Sequence, residues 1–228
     1  MKTTITVTVL ALCALGTGGL HAQSILGPTP YLGFADSPFN PGNPANVLAG
    51  ASFQSFLLED FEDNSIDLNG IAGTSVTISS GFSIFPSSGS SGIVDSVENG
   101  VNGRSLFGGG VFTVTFTGTL PTHAGIVWTD GGNQTFQAFG ETGNSLGTVT
   151  GTHADGSISG TQGEDRFYGA VNPTGISRIS FSSGTTEYDH LQFGVIPEPS
   201  SAILVCFGAV AVFLTRRRRS FHDREVRV

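Results

Sequence analysis

From residue 111 to 117 the chain reads Val-Phe-Thr-Val-Thr-Phe-Thr, with Phe112, Val114 and Phe116 on one side and threonines on the other. Strand side chains alternate faces with a period of two, whereas a helix face repeats every 3.6 residues. Such a run fits a half-buried strand and cannot lay a single apolar stripe along a helix. The same period recurs in residues 75–79 and in Phe136, Ala138 and Gly140. It recurs again where Ser177, Ile179 and Phe181 alternate with Ile176, Arg178 and Ser180. Gly125-Ile126-Val127-Trp128 is apolar on both faces, as a central strand would be.

Turn clusters of Gly, Asn, Ser and Asp separate these runs at intervals of 8–15 residues, and no stretch between the two chain ends carries a helical period. About nine or ten strands are predicted, closing with residues 187–194, in an all-β antiparallel β-sandwich of jelly-roll-like type. The 33 glycines suit a turn-rich chain, and 18 phenylalanines in clusters with Val, Ile and Leu need burial, which excludes disorder. Residues 24–50 differ: Pro28, Pro30, Pro38, Pro41 and Pro44 predict an irregular arm from which Tyr31, Leu32, Phe34 and Phe39 dock on the core.

The net charge of −8 hides a division. Residues 23–195 carry fifteen carboxylates against Arg104, Arg166 and Arg178, a balance of −12 with no lysine. That surface repels phosphate backbones and disfavours nucleic acid as a partner. The two cysteines, Cys13 and Cys206, lie in the apolar runs at the two ends. The region between them can use neither disulfides nor thiolate chemistry nor Cys-bound zinc.

Lys2, an apolar run over 5–15, helix-breaking Gly16, Gly18 and Gly19, and a small residue at Ala22 form the n-, h- and c-regions of a signal peptide spanning 1–22. At the other end Pro197-Glu198-Pro199 precedes an apolar run from Ala202 to Leu214, then Arg216, Arg217, Arg218 and Arg219. Thirteen residues at ~1.5 Å rise reach about 20 Å, short of the ~30 Å hydrocarbon core. The span 201–215 therefore suits a transient anchor better than a permanent single-span one, which is the competing reading. The arginines stay on the cytoplasmic side. Pro197 and Pro199 hold the segment before it extended, as a protease requires.

In that order, these residues resemble a PEP-CTERM sorting signal over 195–219, with 220–228 as a cytoplasmic tail beyond the arginine cluster. The resemblance implies transient anchoring in the inner membrane, recognition by an exosortase-type membrane protease and cutting near the tripeptide. It further implies passage to the cell surface or extracellular matrix of a Gram-negative bacterium that makes exopolysaccharide. The 51–194 ectodomain also resembles a recurring type found with such tails, through Leu58-Glu59-Asp60-Phe61-Glu62-Asp63, residues 121–130, residues 164–169 and the strand from Tyr188 to Gly194. That resemblance implies architecture alone.

Several features invite a chemical reading. Gly143-Asn144-Ser145-Leu146-Gly147 matches the G-x-S-x-G nucleophile pattern, but strands on both sides predict a hairpin turn. His123, His153 and His190 are single and far apart in the sequence. Glu59, Asp60, Glu62 and Asp63 lie close to Asp67-Leu68-Asn69-Gly70, and oxygens so clustered suit Ca²⁺. The leading reading of this cluster is a solvated acidic strand end; the alternative, as in carbohydrate-binding-like sandwiches, is that Glu59 or Glu62 shares a structural calcium with Asp189. In Glu164-Asp165-Arg166 the arginine is expected as a salt-bridge partner, and Trp128 as a core residue rather than a sugar platform.

With no catalytic constellation in view, the leading expectation is a non-enzymatic surface or matrix protein. A carbohydrate-binding module acting on exopolysaccharide comes second, and a secreted hydrolase third.

Overall fold

The computed structural model describes residues 22–86, 103–155 and 162–197. Apart from Ala22, the expected signal peptide lies outside these residues, as do Glu198, Pro199, the span 201–215, Arg216 to Arg219 and the cytoplasmic tail. Within the described residues no helix is long and apolar enough to cross a membrane.

Twelve strands form, with two short 3₁₀ turns at Phe34–Asp36 and Gln162–Glu164. In chain order they are β1 (Ser24–Pro30), β2 (Ser55–Glu59), β3 (Thr74–Ile78), β4 (Phe82–Pro86), β5 (Arg104–Gly110) and β6 (Thr113–Gly118). There follow β7 (His123–Gly131), β8 (Thr135–Gly140), β9 (Ser145–Thr150), β10 (Arg166–Val171), β11 (Ile176–Phe181) and β12 (Gly184–Val195). They make two antiparallel sheets. The larger runs β1-β10-β7-β12-β5-β4, with β2 also paired to β12, and the smaller runs β3-β6-β11-β8-β9.

Each alternating run lies where its period demands. Phe112, Val114 and Phe116 are buried, and β8 buries Phe136, Ala138 and Gly140. Between the sheets phenylalanines and tyrosines interlock: Phe112 stacks on Tyr188 with centroids 4.2 Å apart, Phe136 meets Phe181 edge-on at 5.2 Å, and Phe116 meets Phe193 at 5.2 Å. Burying such a ring contributes about 1.5–3 kcal/mol, so these residues supply much of the stabilisation in a domain without disulfides.

The middle of the larger sheet is covered on both faces. All nine residues of β7 are buried, as are Thr186 to Gly194 of β12. Tyr31 and Phe39 of the Pro/Gly-rich arm, with Val47, Phe53 and Phe56, pack on Val127, Phe167 and Val171 of the outer face as a second core. Leu32, expected to dock, stands 61% exposed. The arm is also less irregular than expected, since its first residues form β1 and pair with β10. Pro28 and Pro30 are tolerated because β1 is an edge strand, where a missing N–H leaves no neighbour unpaired. Close packing of this layer also explains Gly125: a methyl group there would collide with the Phe167 ring.

β12 organises the larger sheet. One edge pairs with β7 along most of its length, while the other is shared by β5, opposite 184–188, and β2, opposite 191–195. Between Asp189 and Gln192 the register against β7 slips, and His190 there has φ +46°. A β-bulge of this kind bends the strand and re-aims its side chains.

Candidate functional site

The β12 bulge places His190 under the arm. Its Nδ1 lies 2.8 Å from the Tyr31 hydroxyl, which also accepts a hydrogen bond from Gln192 Nε2 at 2.9 Å. Ser37 in turn donates to Gln192 Oε1 at 2.5 Å. All four residues are buried. This network anchors the arm, and it was not legible beforehand because its partners lie more than 150 residues apart in the chain.

Beside it the larger sheet carries buried carboxylates. Asp130 and Glu187 are register partners on β7 and β12. The Ser105 hydroxyl donates to Glu187, the Gly131 amide to Asp130 at 2.5 Å, and the His190 amide to Asp189 at 2.7 Å. Each of the three acids is at most 2% exposed, so this row is closed to a ligand arriving from outside.

Of the candidate calcium ligands, Glu59 pairs in register with Leu191, two residues from Asp189. Among the described residues no group of three or more His, Cys, Asp and Glu side chains is arranged to hold a metal. Glu59 lies inside the fold and accepts the Phe61 amide on one oxygen at 2.9 Å and the Asp67 amide on the other. It caps the acidic loop, and burial pushes its carboxyl above the ordinary glutamate value despite those two hydrogen bonds. Glu62 accepts the Arg104 amide at 2.8 Å, tying the same loop to β5. Asp189 serves the bulge. The spacing of these acids reflects loop closure, in which a carboxylate satisfies backbone donors at a turn.

Glu164 and Arg166 gather with other polar groups at one end of the sandwich. Glu164 accepts the Asp155 amide at 2.9 Å, and burial, with Asp155 and Asp130 nearby, raises its carboxyl. Arg166 donates through one nitrogen to the carbonyls of Gly163, at 3.1 Å, and Asp165, at 2.8 Å. It fastens a turn, and its charge also acts on the neighbouring Glu164 carboxyl. The His153 ring stands edge-on to Trp128 at 4.7 Å. Burial, reinforced by the Arg166 charge, pushes His153 down to about 4. Among the described residues, both nitrogens of His153, the Trp128 N–H and the Tyr168 hydroxyl are buried without a hydrogen-bond partner.

Among the described residues, the serine of the G-x-S-x-G pattern meets no histidine. Ser145 sits at the exposed start of β9 in the β8–β9 hairpin, where its hydroxyl accepts from Gln137 Nε2 and from the Gly147 amide. The histidines occupy separate places: His123 against the Thr122 hydroxyl, His153 against Trp128, His190 against Tyr31. Trp128 is 1% exposed and belongs to the core.

The last residue of β12 and the one that follows are held at one end of the domain. The Val195 carbonyl accepts the Gln54 amide at 2.8 Å, and the Ile196 amide donates to the Thr122 hydroxyl at 2.9 Å. Ile196 is buried, whereas Pro197 is exposed. An open cleft of about 300 Å³ lies at this exit, lined by Leu120, Thr122, Glu141, Pro173, Ile196 and Pro197 among others.

What fold and site define is an all-β domain of two antiparallel sheets with a chain exit at Pro197. No protein-family model and no curated protein matches the chain. Among solved structures, the K1 cleaved adhesin domain of Lys-gingipain from Porphyromonas gingivalis W83 is similar at 16% identity and TM-score 0.35, over 61% of this chain and 98% of that one. A family 11 carbohydrate-binding module from Clostridium thermocellum, in complex with a β-1,3-1,4-mixed-linked tetrasaccharide, is similar at 11% identity and TM-score 0.24, over 63% of this chain and 98% of that one. Similarity this distant carries no argument about activity.

Proposed function

We propose that this chain is an exported, non-enzymatic cell-surface or extracellular-matrix protein, sorted through a PEP-CTERM-like tail and cut there by an exosortase-type membrane protease. The observation that carries the reading is the exit at Pro197. The domain holds its chain through Ile196, and the Pro-Glu-Pro tripeptide begins at the first exposed residue beyond. A protease needs an accessible segment; in the sequence this tripeptide directly follows a residue that the domain buries and precedes a short apolar run. In this reading residues 1–22 export the chain, 201–215 hold it briefly in the inner membrane, and Arg216 to Arg219 keep the far end cytoplasmic.

The strand order supports a jelly roll as the finer description of the fold. From β5 onward the chain builds β5-β12-β7-β10 in one sheet and β6-β11-β8-β9 in the other. That is the interleaved order of an eight-stranded jelly roll, with β1 to β4 added at its edges.

Fractionation of a host that carries the protease tests the reading, with epitope tags at both ends of the chain. Both tags are expected to be missing from the protein at the surface or in the medium. A doubly tagged chain dissolved in the cytosol contradicts it.

A further inference from the structure

The outer face of the smaller sheet differs from the rest of this acidic domain. Its strands β3, β6, β8, β9 and β11 contain no Asp or Glu, although residues 23–195 hold fifteen. Strand register lines up its outward side chains in transverse rows. One row is Thr77, Thr115, Arg178, Phe139 and Ser145, crossing all five strands. The next is Thr113, Ser180, Gln137 and Thr148. Neighbouring strands stand ~4.8 Å apart, so the hydroxyls form a regular flat array. Thr77, Thr148, Ser145 and Arg178 are exposed. The Arg178 guanidinium carbon lies over the Phe139 ring, 3.7 Å from its centroid, and the side chain is exposed.

The geometry points to this face as a binding surface for a carboxylate-bearing polysaccharide. The hydroxyl and amide rows supply donors and acceptors for sugar hydroxyls, and Arg178 supplies a charge-assisted, fork-shaped donor for a uronate carboxylate. The missing acids decide between neutral and acidic glycans. Aspartate and glutamate are good partners for neutral sugar hydroxyls, and a face built for those has no reason to exclude them. A face that receives anions does. Asp130, Glu187 and Asp189 belong to the larger sheet, a ~10 Å sheet spacing behind this face. Glu141, in the β8–β9 turn, stands at the rim. The inference deepens the reading of the domain as a surface or matrix module, but it does not depend on the tail being cut.

The test is native affinity electrophoresis of the purified full chain in detergent, through gels containing polygalacturonate or neutral dextran. Polygalacturonate is expected to retard the chain, less so as salt rises, and dextran to leave it unretarded. Arg178→Gln should weaken the retardation about tenfold with an unchanged melting temperature, since a charged hydrogen bond is lost from an exposed position. Arg104→Gln, on the other sheet, should retain it. No retardation, equal retardation by dextran, or an Arg178→Gln chain that behaves as wild type overturns the inference. Self-association without glycan that Arg178→Gln abolishes assigns the face to a second copy and also overturns it. If binding fails while the surface form still ends near Pro197, only this inference falls.

Discussion

The Tyr31 hydroxyl and Nδ1 of His190 meet at 2.8 Å across 159 residues of sequence, fastening the N-terminal arm over the β12 bulge. Gln192 donates to the same hydroxyl at 2.9 Å. Tyr31→Phe removes the oxygen and leaves two buried polar groups short of a partner. The expected loss is about 1–3 kcal/mol of unfolding free energy, read by urea denaturation. A loss under about 0.5 kcal/mol would mean that the arm is held by its apolar contacts alone.

The Phe112 ring fills the space between the sheets against Tyr188, Phe82 and Phe181. Phe112→Ala should cost about 3–5 kcal/mol, the range for a large buried ring replaced by a cavity. Three residues further on, in β6 and facing outward, Thr115→Ala should stay within about 0.5 kcal/mol. Similar values for both variants would contradict the assignment of inward and outward sides to residues 112–116.

Acid should weaken the fold through His153. Its ordinary value is 6.5 and its folded value about 4, so between these the unfolded chain binds more protons. Stability is therefore lost as pH falls from about 6.5 toward about 4. Glu59 and Glu164 act in the opposite sense, because their folded values are raised. What they contribute is present below the ordinary 4.5 and disappears as pH rises through the raised values. His153→Phe keeps a ring against Trp128 and removes the titration. Its melting temperature should fall less than that of the wild type between about pH 7 and about pH 4. Parallel curves would place His153 in solvent.

Glu59 offers an oxygen to each of two amides, and an amide side chain can accept through only one. Glu59→Gln should therefore destabilise the chain by about 1–2 kcal/mol and speed hydrogen exchange at Asp67. Because these oxygens are engaged by the backbone, a calcium chelator should leave the melting temperature unchanged. A chelator-sensitive transition would restore the shared-calcium alternative for Glu59, Glu62 and Asp189.

Sequence period revealed the strands whose two faces meet different surroundings. β6 and β8 alternate because one side meets the core and the other water, and the β8–β9 hairpin announced itself in Gly143 and Asn144. β12 was seen as a closing strand, but its burial was not. Glu187, Asp189, His190 and Gln192 look solvent-facing by residue type. They are buried because the arm, more than 130 residues earlier, and other distant segments close over that face. β1 was hidden by its prolines, and β5 by Gly108, Gly109 and Gly110, which weaken any strand signal. The acidic cluster read as metal ligands caps a loop, since carboxylates near turns serve either purpose and only the distant partner tells which.

The central claim concerns where the chain leaves the fold and is then cut, and intact-mass spectrometry of the protein recovered from outside the cell tests it most directly. The account predicts a chain that starts at Gln23 and ends within a few residues of the Pro197-Glu198-Pro199 tripeptide. A recovered chain that still carries Arg216 to Arg219 would contradict it.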